Sequence, residues 1–267
     1  MTEKHLNIMT GLVGHYKDAL EHFSENQIVG LWLQGSQNYG LDDEASDIDT
    51  KLLVTPSFAD LAYNNAPISR THVRKNNEHI DFKDIRLYMD MFRKQNINFV
   101  EILFTDYYII NPKYKHYWQQ LIDNREAIGR YNPYVAIMCM AGHALEKYKR
   151  LSWAYPSRAE IVQKYGYDLK QLTHLLRIED FLERYIAEEP YEDCIIPENL
   201  EKLREIKKGV YSLDEANKIA DAAFMHITKM RDDYCLTHKN KYNPLVEDLF
   251  RSLQYEIIKI AIKEELD

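Results

Sequence analysis

The chain has 267 residues, 45% of them hydrophobic, and a formal net charge of −8. It is long enough to bury a sizeable core in one large domain or two modest ones. It is too acidic to suit broad, sequence-independent binding of a polyanion, whose affinity comes largely from Lys and Arg. No run approaches the roughly eighteen consecutive apolar residues of a membrane-spanning helix, and the opening MTEKHLNIMTG lacks the apolar core of a signal peptide. Cys139, Cys194 and Cys235 are widely spaced and odd in number, so neither a metal spacing nor a disulfide framework is expected, and a reduced, cytoplasmic chain is.

Residues 3 to 23 place Leu6, Met9, Leu12, Val13, Tyr16, Leu20 and Phe23 on one helical stripe. An apolar run of strand length follows, Ile28-Val29-Gly30-Leu31-Trp32-Leu33, and stops at Gly35-Ser36. An irregular acidic stretch, Gly40-Leu41-Asp42-Asp43-Glu44-Ala45, leads to Ser46-Asp47-Ile48-Asp49 and a second apolar run, Lys51-Leu52-Leu53-Val54. The pattern predicts a strand, a Gly-Ser turn, a short helix or loop, and a strand that begins with two carboxylates. Ser57 is placed to cap a short helix through Tyr63, and Asn64-Asn65-Ala66-Pro67 is a turn. Segments 70–74 and 78–83 around Lys75-Asn76-Asn77 predict a hairpin with Asp81 on its second arm. Residues 84–96 have a helical period, and Tyr107-Tyr108-Ile109-Ile110 predicts an edge strand.

From about residue 113 the periods are mostly helical. Residues 133–151 are the clearest, with Pro133 in the first turn and Cys139 in the core face. Arg158, Ala159, Ile161 and Val162 predict a short helix that ends at Gly166. Asp168 caps a helix to about Ile186, residues 188–199 are loop, and Lys207-Lys208-Gly209 closes a further helix. Ser212 and Glu215 form a capping box for a helix to about Leu236, and Pro244 opens the last helix. Lys170, His174 and Arg177 fall at i, i+4 and i+7, on one helix face. On pattern alone they form the solvated side of an amphipathic helix.

The stretch from Leu31 to Thr55 carries the chemistry. Carboxylates at i and i+2 of a strand point to one face, and they repel unless a cation sits between them. Mg²⁺ takes oxygen ligands and keeps positions free for water and phosphate. Gly35 lets backbone approach a phosphate closely and tolerates positive φ. Ser36 can cap a following helix, whose free N–H groups bind anions. Metal at one edge and phosphate at the other is what metal-assisted phosphoryl or nucleotidyl transfer requires.

Gly35-Ser36, Tyr39-Gly40 and Ser46-Asp47-Ile48-Asp49, in this order between two apolar runs, resemble the signature of the DNA polymerase β-like nucleotidyltransferase superfamily. Asn98-Phe99-Val100-Glu101-Ile102-Leu103-Phe104, Gly142-His143-Ala144-Leu145 through Leu151, and Lys170-x-x-x-His174-x-x-Arg177 resemble elements of the branch associated with RNA-repair operons. The resemblance implies an α/β (α+β) palm with a mixed sheet over residues 1–112. It also implies an α-helical domain, 113–267, that closes the nucleotide cleft. It implies a third carboxylate from a later strand, for which Asp81 is the candidate and Glu78 and Asp84 the competitors. Lys170, His174 and Arg177 are implied to contact the nucleotide. Glu101 sits in an apolar run and needs a partner, which leaves a structural ion pair and a functional role both open.

The expected activity is transfer of a nucleoside monophosphate from an NTP, ATP first among them, to an acceptor hydroxyl with release of pyrophosphate. Asp47 and Asp49 hold Mg²⁺ on the triphosphate, with Mn²⁺ as an alternative ion. Asp81 completes a second metal site or takes the acceptor proton. Gly35 and Ser36 bind the β- and γ-phosphates. Family context suggests an RNA end, such as a tRNA 3′ end, as acceptor. The acidic net charge favours a small molecule or a protein hydroxyl, and a non-catalytic nucleotide-binding protein is the alternative from another class.

Overall fold

A computed structural model describes residues 2–43 and 46–267. Glu44 and Ala45, at the end of the acidic stretch, lie outside the described residues. The strands are β1 (Ile28–Gln34), β2 (Asp49–Val54), β3 (Ser69–Val73), β4 (His79–Asp84) and β5 (Tyr108–Ile110). The longer helices are α1 (Glu3–Leu20), α2 (Ile85–Arg93), α3 (Pro133–Lys149), α4 (Leu169–Ile186), α5 (Leu200–Lys207), α6 (Leu213–Thr237) and α7 (Pro244–Leu266). The chain falls into two compact units. The first comprises Met1–Asn38, Asp42–Tyr131 and Tyr242–Asp267; the second comprises Tyr39–Leu41 and Asn132–Lys241. The boundary expected near residue 112 falls inside the first unit, just after β5.

The first unit is built on one mixed sheet in the order β3-β4-β2-β1-β5. β2 and β4 run parallel, and the other neighbours are antiparallel. The expected hairpin and the expected edge strand are both present. One sheet face packs on α1, where Ile8, Leu12 and Ala19 meet Leu31, Leu33, Leu52, Val54, Ile80 and Phe82. Each such buried side chain stabilises the fold by roughly 1.5–3 kcal/mol. Elsewhere in the unit Trp32 packs against Trp118 at a tilt of 34°, with ring centroids 4.0 Å apart, and Phe92 of α2 stacks on Phe250 of α7. Glu247 of α7 fastens this region. Arg93, Arg251 and the Tyr131 hydroxyl all donate to it, which, against the cost of burial, holds its carboxyl down at about 2.

The second unit is helical. α6 turns Ala216, Ala220, Ala223 and Ile227 inward, at i, i+4, i+7 and i+11. Small side chains on that stripe let it approach α3 and α4 closely. The capping box at Ser212 and the Asp168 cap of α4 both form.

Four local expectations give way. β2 begins at Asp49 and not at Asp47, because β1 ends opposite Asp49, at Gln34, and offers no further partner. The turn after Gly35 is a three-residue 3₁₀ segment, Ser36–Asn38, too short to carry a helix dipole. Within the segment expected to be loop, Tyr191–Ile195 is helical and buries Tyr191, Cys194 and Ile195. Arg158 stands outside the helix Ala159–Tyr165, where its guanidinium pairs with Asp168 at 2.8 Å.

Candidate functional site

The Gly-Ser turn sits at the end of β1. Gly35 has φ +92°, a conformation that favours glycine, and a side chain added there would meet open space. Asn38 pins the turn from behind: its amide donates to Leu33 O at 3.0 Å, and its carbonyl accepts from Thr105 Oγ1 at 2.7 Å. Gln37 donates to the backbone carbonyl of Asp47 at 3.3 Å, tying the turn to the acidic motif. Ile48 packs against Gly11 of α1, where any side chain would collide with it.

The two carboxylates differ. Asp47 is exposed, and its carboxylate has no hydrogen-bond partner among the described residues. Asp49 accepts twice at one oxygen, from the His79 backbone N–H at 2.9 Å and from His79 Nδ1 at 3.1 Å. Its other oxygen is uncommitted among the described residues.

Asp81 lies on the neighbouring parallel strand, opposite Lys51. Both of its oxygens are engaged. Lys51 Nζ lies at 3.3 Å from Oδ2, and Lys83 Nζ lies at 2.9 Å from Oδ1, where Thr71 also donates. Lys51 is buried, 4.4 Å from the centre of the Phe99 ring. Burial pulls its ammonium below the usual lysine range, and the charges of Asp81 and Glu101 oppose that shift. Buried Glu101 therefore has Lys51 as an electrostatic neighbour.

The competitors for the third carboxylate are committed elsewhere. Asp84 is fully buried, caps α2 and pairs with Arg86 at 2.6 Å. Glu78 accepts from His15 Nε2 at 3.0 Å and from Arg74 at 2.7 Å. His15 also meets the Thr50 hydroxyl at 2.8 Å through Nδ1. This Thr50–His15–Glu78 chain clamps β2 to α1 and to the start of β4, immediately beside Asp49 and His79. Burial pushes the His15 imidazole down, so it is neutral, with Nε2–H donating to Glu78 and Nδ1 accepting from Thr50.

A divalent cation fits part of this set. Asp47 and Asp49 offer carboxylate oxygens that nothing else among the described residues occupies. Asp81 offers an oxygen only by giving up an ammonium. Among the described residues no group of three or more His, Cys, Asp or Glu is gathered at metal-binding distance.

The helical unit carries the other implied residues. Lys170 is exposed, His174 half-buried and Arg177 buried, all on α4. The Arg177 guanidinium stacks over the Tyr39 ring at 3.5 Å. Tyr39-Gly40-Leu41, the tip of the motif loop, packs in this unit, where Arg204 donates to Gly40 O at 2.9 Å and Lys207 to Leu41 O at 2.6 Å. Burial pushes the His174 imidazole down to about 3, and Arg177, Lys170, Lys147 and Lys207 push the same way. His174 is thus neutral, not a cation itself.

Sequence reasoning gave no site role to Lys51, His79, His15 or Thr105, and it named Tyr39 in the motif without the Arg177 guanidinium it meets. Lys51 was visible as a lysine two residues after Asp49 inside an apolar run. His15 is a lone histidine on an apolar helix face, and nothing in the sequence pairs it with Thr50 and Glu78.

No family model matches the chain, and no curated protein matches it. Among solved structures it is similar to a nucleotidyltransferase-like protein from Exiguobacterium sibiricum, at 10% identity over 85% of this chain and 75% of that one, with a TM-score of 0.30. That likeness is too slight to bear on function. No helix among the described residues is long and apolar enough to cross a membrane.

Proposed function

We propose that the chain is a divalent-cation-dependent nucleotidyltransferase of the DNA polymerase β-like superfamily, close to the branch associated with RNA-repair operons. The observation that carries this reading is the open, positive-φ Gly35 turn joined through Gln37 to a motif whose Asp47 and Asp49 keep carboxylate oxygens uncommitted. Asp47 and Asp49 would hold Mg²⁺, or Mn²⁺ in its place. Bound there, the ion neutralises phosphate charge and lowers the pKa of a coordinated hydroxyl.

The remaining steps belong to the chain's own groups. Gly35 and Ser36 receive the β- and γ-phosphates of an NTP, with ATP as first candidate. His79 holds Asp49 in one rotamer through two hydrogen bonds to a single oxygen. Within the helical unit, Lys170 and Arg177 of α4 are read as an anion-binding pair, and neutral His174 as a hydrogen-bonding group beside them. The acceptor is an RNA 3′ end, and pyrophosphate leaves as the acceptor oxygen attacks the α-phosphate in line. Asp81 serves as third carboxylate if Lys51 or Lys83 exchanges for a cation or an acceptor proton.

The same ion pairs at Asp81 favour one second reading, nucleotide binding without turnover, because the third carboxylate is already neutralised. The discriminating experiment incubates the protein with Mg²⁺, each α-labelled NTP and pools of small RNA, protein and small molecules. Label in RNA that the Asp49→Asn variant fails to transfer supports the first reading. Label in protein or small molecules changes the acceptor. NTP-dependent thermal stabilisation without label in any pool supports the second.

A further inference from the structure

We propose that the cleft between α2 and α7 binds a single-stranded nucleic acid through its phosphodiester backbone. This cleft, of about 740 Å³, lies wholly in the sheet-bearing unit and includes none of the motif residues. Its α7 wall presents Arg251, Tyr255, Lys259 and Lys263, spaced four residues apart and so on one helix face. Its α2 wall adds Arg86 and Arg93, and Asp90 is the single carboxylate in the lining. Arg93 also pairs with Asp90 at 3.0 Å, so with Asp84, Glu247 and Asp90 set against the five cations the cleft keeps an excess of two positive charges in a chain whose net charge is −8.

The arginines are pre-set. Asp84 holds Arg86 from behind, and Glu247 holds both Arg93 and Arg251. Arg251 engages Glu247 only through Nε and is 74% exposed, which leaves its two terminal nitrogens directed outward as a fork. Lys259 meets Glu256 at 3.4 Å and lies over the Tyr255 ring, 5.5 Å from its centroid, and Lys263 has no ion pair among the described residues. Guanidinium groups held by carboxylates beside two weakly engaged ammonium groups suit a run of phosphates.

Two features select a strand over a lone anion. The α7 stripe from 251 to 263 extends about 18 Å at 1.5 Å per residue, longer than one phosphate group requires. Tyr255, 63% exposed, stands in the middle of the stripe, with Ile258 and Ile262 in the same lining. An exposed ring between cations is what sequence-tolerant strand binding uses, with bases stacking while phosphates pair. An acidic peptide would match the charges but would leave the tyrosine without a planar partner.

The proposal deepens the RNA-acceptor reading but does not depend on transfer. The test uses the full chain and a fluorescein-labelled single-stranded RNA of about 15 nucleotides, with anisotropy read at several salt concentrations. Lys259→Glu/Lys263→Glu should weaken binding at least about tenfold and flatten the log–log salt slope by about 1.4, some 0.7 for each phosphate no longer neutralised. Tyr255→Ala should weaken binding several-fold and leave the slope unchanged. Binding by the parent chain is read without NTP and without divalent cation, where no transfer can occur, so that failure of the transfer chemistry and failure of this site are told apart. Thermal melts establish that each variant is folded. Wild-type-like affinity in both cleft variants overturns the proposal. So does stronger competition by poly-glutamate than by unlabelled RNA, which would indicate a protein partner. Equal competition by inorganic phosphate or ATP at matched phosphate concentration would reduce the cleft to a single-anion site and overturns the strand reading.

Discussion

The strand edge and helix α4 handle charge in opposite ways. On the sheet, Asp49 is held by His79, and Asp81 by Lys51 and Lys83, each opposite or dipolar partner within 3.3 Å. Around His174 the charges that weigh on the imidazole are Arg177, Lys170, Lys147 and Lys207, all of one sign. A strand places alternate side chains on a rigid, hydrogen-bonded frame, so it can set carboxylates at a fixed spacing. Around His174, three helices (α3, α4 and α5) bring like charges to bear on one imidazole and so keep it neutral. The first arrangement suits a group that must not move. The second suits a group whose partner comes and goes.

The contrast can be broken at the sheet first. Asp49→Asn keeps the shape and the His79 contact but removes the charge. NTP turnover, measured as pyrophosphate release, should fall by about 10²- to 10³-fold, with the melting temperature nearly unchanged. Activity within twofold of the parent would end the claim that the strand carboxylate is functional.

Next comes the clamp behind it. His15→Leu strands the buried Thr50 hydroxyl and leaves the Glu78 carboxylate to Arg74 alone among these partners, and should cost about 1–3 kcal/mol of stability by denaturant titration. The wild-type clamp also has a pH signature. The folded imidazole titrates below its unfolded value near 6.5, so its contribution is complete above that value. It is lost as pH falls toward the depressed folded value. Stability should therefore fall as pH is lowered through about 6.5. Stability that stays flat from pH 7 to pH 5 would contradict a buried neutral His15.

On the helix the effects are smaller and take another form. Arg177→Lys retains charge but loses planar stacking on Tyr39. It should raise the KM for NTP about tenfold, some 1.4 kcal/mol, with kcat little changed, and a change in kcat alone would reverse the assignment. His174 gives the finest probe. In the free protein its NMR titration should stay neutral to about pH 3, and saturating nucleotide triphosphate should move it upward. An unmoved midpoint would mean that the cations serve packing and not an anion.

Much of the sheet was legible because continuous apolar runs of strand length, such as Ile28–Leu33 and Lys51–Val54, fit a strand buried on both faces. Caps at Asp168 and Ser212 were legible because the groups that satisfy a helix end lie within three residues of it. The local misreadings share a cause. Asp47 reads as strand until one knows that β1 stops at Gln34, and Tyr191–Ile195 reads as loop until burial of three side chains is seen. The engagement of Asp81 by Lys51 and Lys83 depends on the parallel register of β2 and β4, which no local pattern specifies. His15, Thr50 and Glu78 are separated by 35 and 28 residues, so their union is a property of the fold alone.

The path of the motif loop sets a limit on taking the molecule apart. Between Asn38 and Asp42 the chain leaves the sheet-bearing unit for three residues, and that unit recovers its last helix only after residue 242. A fragment ending at Tyr131 would therefore lack α7, and with it Glu247, the common acceptor of Arg93, Arg251 and Tyr131. The same fragment would leave Tyr39 without the guanidinium it stacks on and Gly40 and Leu41 without their donors. Neither unit is a contiguous segment that limited proteolysis could release intact, and a search for a minimal catalytic fragment should begin from internal deletion and religation of the chain rather than from truncation.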